Sequence, residues 1–175
     1  MEKRITSTTT KGLFIALILI IISLSTYFAN VDVNGPVKWV GFVIFISGVI
    51  WSVSSYGKQV KYNSTFGNYF AHGFKVSAVV TILMIIYLAI FIALFPDFKE
   101  KILEQTRAGM RQNDKMTEEQ ITQAMEISRK FFMVGLIGFT LLGYLIIGAL
   151  ASLVGAAITK KQPDKFVADI NQIGK

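Results

Sequence analysis

FKVSAVVTILMIIYLAIFIALF, residues 74–95, is the stretch that decides how this chain folds. It runs for 22 residues with one charge, Lys75, near its start. An apolar helix of about 20 residues crosses the ~30 Å hydrocarbon layer of a bilayer, so the stretch reads as a transmembrane helix. Residues 12–29, 37–56 and 131–158 repeat the pattern. The expected fold class is therefore all-α, a polytopic membrane protein with four transmembrane helices. Residues 1–175 read as a single membrane domain, with an extramembrane helical hairpin between spans three and four.

Composition agrees. Hydrophobic residues make up 53% of the chain, more than a soluble domain of 175 residues needs for its core. A formal charge of +7 would point to nucleic acid in a soluble protein, but here the basic residues sit mostly beside apolar segments. They read as orientation signals and headgroup contacts, and no nucleic-acid partner is expected. Cysteine is absent and His72 is the one histidine, so neither thiolate chemistry nor the usual metal-ligand spacings arise. No metal and no cofactor is expected.

Upstream of the first span, residues 1–11 are polar and carry Lys3, Arg4 and Lys11. A signal peptide has the same layout, but the apolar run at 12–29 exceeds a usual cleavable core, and Tyr27, Phe28, Ala29 and Asn30 make a poor cleavage site. An uncleaved span is expected. Asn34, Gly35 and Pro36 mark a tight link to the second span. Trp39 at one end of that span, and Trp51 with Tyr56 at the other, fit aromatic belts at the two membrane surfaces.

Residues 62–75 read YNSTFGNYFAHGFK. With Ser64 or Thr65 as N-cap, Phe66, Phe70 and Phe74 share one helical face and Asn68 and His72 the other. The expectation is a short interfacial helix carrying Phe66, Phe70, His72, Gly73 and Phe74, lying in the headgroup region before the chain turns into the bilayer. His72 then has its ring in water, or serves as a pH-responsive or phosphate-binding group beside Lys75.

The Y-G-K-Q-V of residues 56–60, the S-T-F-G-x-x-F-x-x-G-F of residues 64–74, and a third span followed by a charged loop and a Gly-rich fourth span together resemble the DUF4199 family. The resemblance implies a small four-helix membrane protein, chiefly of Bacteroidetes, and hence a bacterial host. The family is one of unknown function, so it implies no catalytic or binding residues.

Between Pro96 and Lys130 seven Lys or Arg face seven Asp or Glu, the balance of a solvated helical surface. Phe98, Ile102 and Met110 give its first half a thin apolar stripe, and Asn113 and Asp114 mark a turn. Thr117 with Gln120 forms a capping box, from which Ile121, Met125, Ser128 and Phe132 run at helical spacing into the last span. Residues 97–130 thus read as a helical hairpin outside the membrane.

In the last span, Gly148, Ser152 and Gly155 form a smooth stripe for close helix packing, either within the chain or between two copies. Tyr87 and Tyr144 fall near the middle of their spans, where each hydroxyl needs a partner, and they are further packing candidates. Residues 159–175 read as a short cytoplasmic tail stopped by Pro163.

Four spans put both termini on one side. Lys3, Arg4 and Lys11 beside span one place that side in the cytoplasm, which sets the hairpin in the periplasm and the protein in a bacterial inner membrane. No Asp, Glu, Lys or Arg lies deep in any expected span, which argues against proton relays and ion-coupled carriers. The expectation is a non-enzymatic accessory or assembly protein acting through helix packing and the hairpin. Its partners are the bilayer and either another membrane protein or a second copy. The alternative is a small oligomeric transporter or pore for a neutral solute, lined by Ser77, Thr81, Tyr87, Thr140 and Tyr144. An enzyme ranks below both, because Glu118 and Glu119 beside a helix start suit a dipole better than a reaction.

Overall fold

The structure, a computed structural model, describes residues 6–29, 37–112 and 116–160. Six helices are present among them: α1 (Thr8–Phe28), α2 (Val37–Gln59), α3 (Phe66–Leu94), α4 (Pro96–Arg111), α5 (Glu118–Lys130) and α6 (Phe132–Lys160). Helices α1, α2, α3 and α6 are long and apolar enough to cross a membrane. The chain is a polytopic all-α membrane protein. The links expected at Asn30 to Pro36 and at Asn113 and Asp114, and the tail beyond Lys160, lie outside the described residues.

Contacts divide the chain into two compact units, residues 1–84 with 143–175, and residues 85–142. The first unit holds α1, α2, the N-terminal part of α3 and the C-terminal part of α6. Its α1 begins with Ser7, whose hydroxyl accepts from Thr10 N at 3.1 Å, so the helix starts before Lys11 and takes it in. Thr6 and Gln59 exchange two hydrogen bonds of 3.2 Å, pinning the start of α1 to the end of α2. Further along, a Cβ on Gly48 of α2 would lie 3.0 Å from Ile15 of α1, and Phe14 meets Trp51 at 6.3 Å. These pairs descend one helix as they climb the other, the antiparallel packing that a short link demands.

Helix α2 ends in a Schellman motif: Tyr62 N donates to Gly57 O at 2.8 Å and Lys61 N to Lys58 O at 3.3 Å. Lys61 and Tyr62 both adopt left-handed φ angles, 53° and 58°, where glycine is the usual residue. The turn delivers the chain to Thr65, whose hydroxyl accepts from Asn68 N at 3.3 Å and starts α3.

The separate interfacial helix expected from residues 64–74 does not form. Phe66 to Leu94 is one unbroken helix of 29 residues, about 43 Å long. Apolar neighbours decide this outcome. Phe66 and Phe70 pack against a buried cluster of Val53, Tyr69 and Ala156, so the segment is held in the bundle and continues the span. Phe74, stacked on Phe70 at 5.9 Å, stays exposed.

The second unit holds α4, α5 and the adjoining parts of α3 and α6. Its core is Ile92, Leu103 and Phe132 with Phe98, Ile102, Met125 and Leu136 packed around it. Helix α5 starts at the capping box of Thr117 and Gln120. Arg111 pairs with Glu118 and Arg129 with Glu100, each at 2.9 Å, so the end of α4 meets the start of α5 and the reverse. Side chains such as Ile86, Leu94, Val134 and Phe139 are exposed along the spans, the surface expected where lipid is the solvent.

Candidate functional site

A polar cluster lies inside the first unit, built by one residue from each of three helices. Lys11 comes from α1 and is 2% exposed. Its ammonium donates to Ser52 O at 3.1 Å and lies 3.5 Å from Nε2 of His72 on α3. His72 is also buried, and its Nε2 lies 3.3 Å from Ser52 Oγ of α2. Tyr56, one turn along α2, stacks on the imidazole at 4.2 Å with the rings 8° from parallel.

With Lys11 charged, the contact assigns the histidine's tautomer. An ammonium has donors and no acceptor, so the ring nitrogen facing it must carry a lone pair, which assigns the ring proton to Nδ1. Among the described residues of this unit there is no Asp or Glu, so the Lys11 charge faces only dipoles: a carbonyl, a hydroxyl and the ring nitrogen. A buried cation held this way is expensive and is most often functional in a membrane.

Glycines make the approach possible. A Cβ on Gly12, beside Lys11, would lie 2.7 Å from Val79 of α3. A Cβ on Gly73, beside His72, would lie 2.7 Å from both Ser152 Oγ of α6 and Val53 of α2. Each Lys-Gly or His-Gly pair thus supplies a polar group and the space that lets its helix come close. On α6 the same layer continues to Thr159, whose methyl a Cβ on Gly57 would meet. The hydroxyl of Thr159 is buried with no hydrogen-bond partner among the described residues.

The stripe of Gly148, Ser152 and Gly155 faces inward in the same unit. A Cβ on Gly148 would lie 2.5 Å from Ser77 of α3, and one on Gly155 would lie 3.2 Å from Val53 of α2. Ser152 is fully buried and donates to Gly148 O at 2.6 Å. Tyr144 packs edge-on to Phe45 at 4.9 Å in this unit, and Tyr87 meets Phe91 at 5.5 Å in the other. Of the hydroxyls named as a pore lining, Ser77, Thr81 and Thr140 donate to carbonyls four residues back on their own helices.

The structure differs from the sequence expectation at His72, Tyr56 and Lys11. His72 is packed in the interior and its ring is not in water. Tyr56, read as part of an aromatic belt, stacks on it, and only Trp51 of that pair faces outward. Lys11, a flanking charge by its place in the sequence, lies within α1. The available signal was Ser7 at N-cap spacing, which puts Lys11 four residues into α1.

The sequence model of the family described as protein of unknown function (DUF4199) matches residues 10–161. The chain belongs to that family. No curated protein and no solved structure matches the chain.

Proposed function

We propose that this DUF4199 member is a non-enzymatic accessory protein of a bacterial inner membrane, and that protonation at the Lys11 and His72 contact controls how α1 packs on α3. The carrying observation is the 3.5 Å approach of Lys11 Nζ to a ring nitrogen that must accept from it, deep among apolar helices. Protonating Nε2 sets an N–H against the ammonium, and the contact cannot persist with both groups charged. The bundle then shifts, or Lys11 releases its proton. Around the ring, α1 contributes Lys11 and α2 contributes Ser52 and Tyr56. Helix α3 itself contributes Lys75, and α6 packs on Gly73, beside the ring, through the uncharged Ser152.

In this reading both termini are cytoplasmic and α4 with α5 is periplasmic, where it meets a membrane-protein partner. The stripe at Gly148 is already covered by its own chain, which supports an internal use over a dimer seam. The satisfied hydroxyls of Ser77, Thr81 and Thr140 favour this reading over a solute path.

The test is amide hydrogen exchange of the full chain in nanodiscs as pH is lowered from neutral to about 3, well past the ordinary histidine range. Protection at the start of α1 and of α3 should fall together as pH is lowered in the wild type. In His72→Gln, which keeps an acceptor but cannot titrate, protection should stay flat. A wild-type profile equal to that of His72→Gln would refute the proposal.

A further inference from the structure

The second unit contains a groove of about 510 Å³ between α4, α5 and the first turns of α6. Its volume lies in the range of small-molecule sites. Ile102, Ile127, Phe131, Leu136 and Phe139 give it apolar walls, and Phe139 is 84% exposed. Thr106 and Ser128 also line it, with their hydroxyls donating to Ile102 O and Ala124 O at 2.8 Å.

Two cations stand at its aromatic walls. Lys99 Nζ lies 5.5 Å from the centre of the Phe132 ring and Lys130 Nζ 5.7 Å from that of Phe131. Neither is in a salt bridge with a described residue, whereas Arg111 and Arg129 are both paired. The groove runs from α5, a polar helix, onto α6, a candidate membrane span. An apolar groove that runs onto a candidate membrane span, with two lysines over its aromatic walls, matches one kind of molecule.

We infer that the groove between α4, α5 and α6 binds an anionic phospholipid of the surrounding bilayer. One acyl chain lies along Leu136 and Phe139, and the phosphate sits between Lys99 and Lys130. The lipid reaches the site from the membrane without crossing water. Gly135 is the floor: a Cβ there would meet nothing within 4 Å, so the space beside it is open to a chain.

The full chain is reconstituted in nanodiscs of equal phosphatidylglycerol and phosphatidylcholine, then released in mild detergent and weighed by native mass spectrometry. One phosphatidylglycerol per chain should be retained over phosphatidylcholine. Lys99→Gln with Lys130→Gln should reduce that preference by about tenfold or more, since each lysine near a membrane surface attracts anionic lipid. Gly135→Leu should fill the groove and abolish retention with helicity unchanged. Should that variant lose helicity, the lysine pair decides, because both side chains lie outside the buried core. Equal retention of the two lipids would overturn the inference, as would retention unaffected by the lysine changes. A bound free fatty acid in place of phospholipid, or a second copy of the chain covering the groove, would also overturn it.

Discussion

Lys11 and His72 sit 61 residues apart in sequence and 3.5 Å apart in the fold, both buried and with no described carboxylate in their unit to balance the charge. Such a pair has an asymmetric energetic signature. Lys11→Met removes the buried charge and leaves a neutral ring, so stability should be unchanged or improved. His72→Leu strands the ammonium with Ser52 O alone and should cost about 3 kcal/mol. Combining the two should recover most of the loss. Thermal unfolding of the four proteins in one detergent closes the cycle, and equal losses from both single changes would contradict it.

Gly148 should not tolerate a methyl group. Its Cβ would lie 2.5 Å from Ser77 Cβ, so Gly148→Ala should cost about 1–3 kcal/mol by overpacking. Ser77→Gly in the same chain should restore part of it. Gly138→Ala, where nothing lies within 4 Å, serves as the control and should be close to neutral.

Lys61 holds φ at 53° in the Schellman turn that joins α2 to α3. Glycine adopts that angle without the Cβ clash, so Lys61→Gly should stabilise by about 1 kcal/mol. Lys61→Val should destabilise. Urea or thermal unfolding distinguishes the two directions.

At the α4 and α5 junction, the Arg111 hydrogen bond and charge hold the Glu118 carboxyl below the usual carboxylate range. The pair's contribution is therefore present above the unfolded-state value and lost as pH falls through the lower folded one. Both side chains are exposed, so the contribution is small and screened by salt. Glu118→Gln should flatten the acid limb of amide protection at the start of α5. Thr117→Ala, which removes the capping hydroxyl, should lower protection there more, by about 1 kcal/mol.

The four spans and the capped hairpin were legible because each is a local signal: length of apolar run, charge balance, and Thr117 spaced three from Gln120. The polar cluster was not, because it is assembled from three helices. Lys11, placed at a span's edge, has the same local signature whether it faces headgroups or the bundle. His72 shared a face with Asn68, which favoured a wet reading, but His72 lies on the buried side of α3 with Tyr69 and Val76 while Asn68 stays exposed. A polar residue precedes glycine at both Lys11-Gly12 and His72-Gly73. Their meaning is steric, since Gly12 and Gly73 each allow the close approach that brings the neighbouring polar group into place.

Because His72 is the chain's one histidine, labelling histidine with nitrogen-15 gives a single imidazole to observe. The most direct test is the NMR spectrum of that ring in lipid bilayers at neutral pH, in the wild type and in Lys11→Met. The account predicts a proton on Nδ1 and an unprotonated, hydrogen-bonded Nε2 in the wild type, with the Nε2 signal moving when Lys11 is replaced. A proton on Nε2, or a spectrum identical in the two proteins, would contradict it.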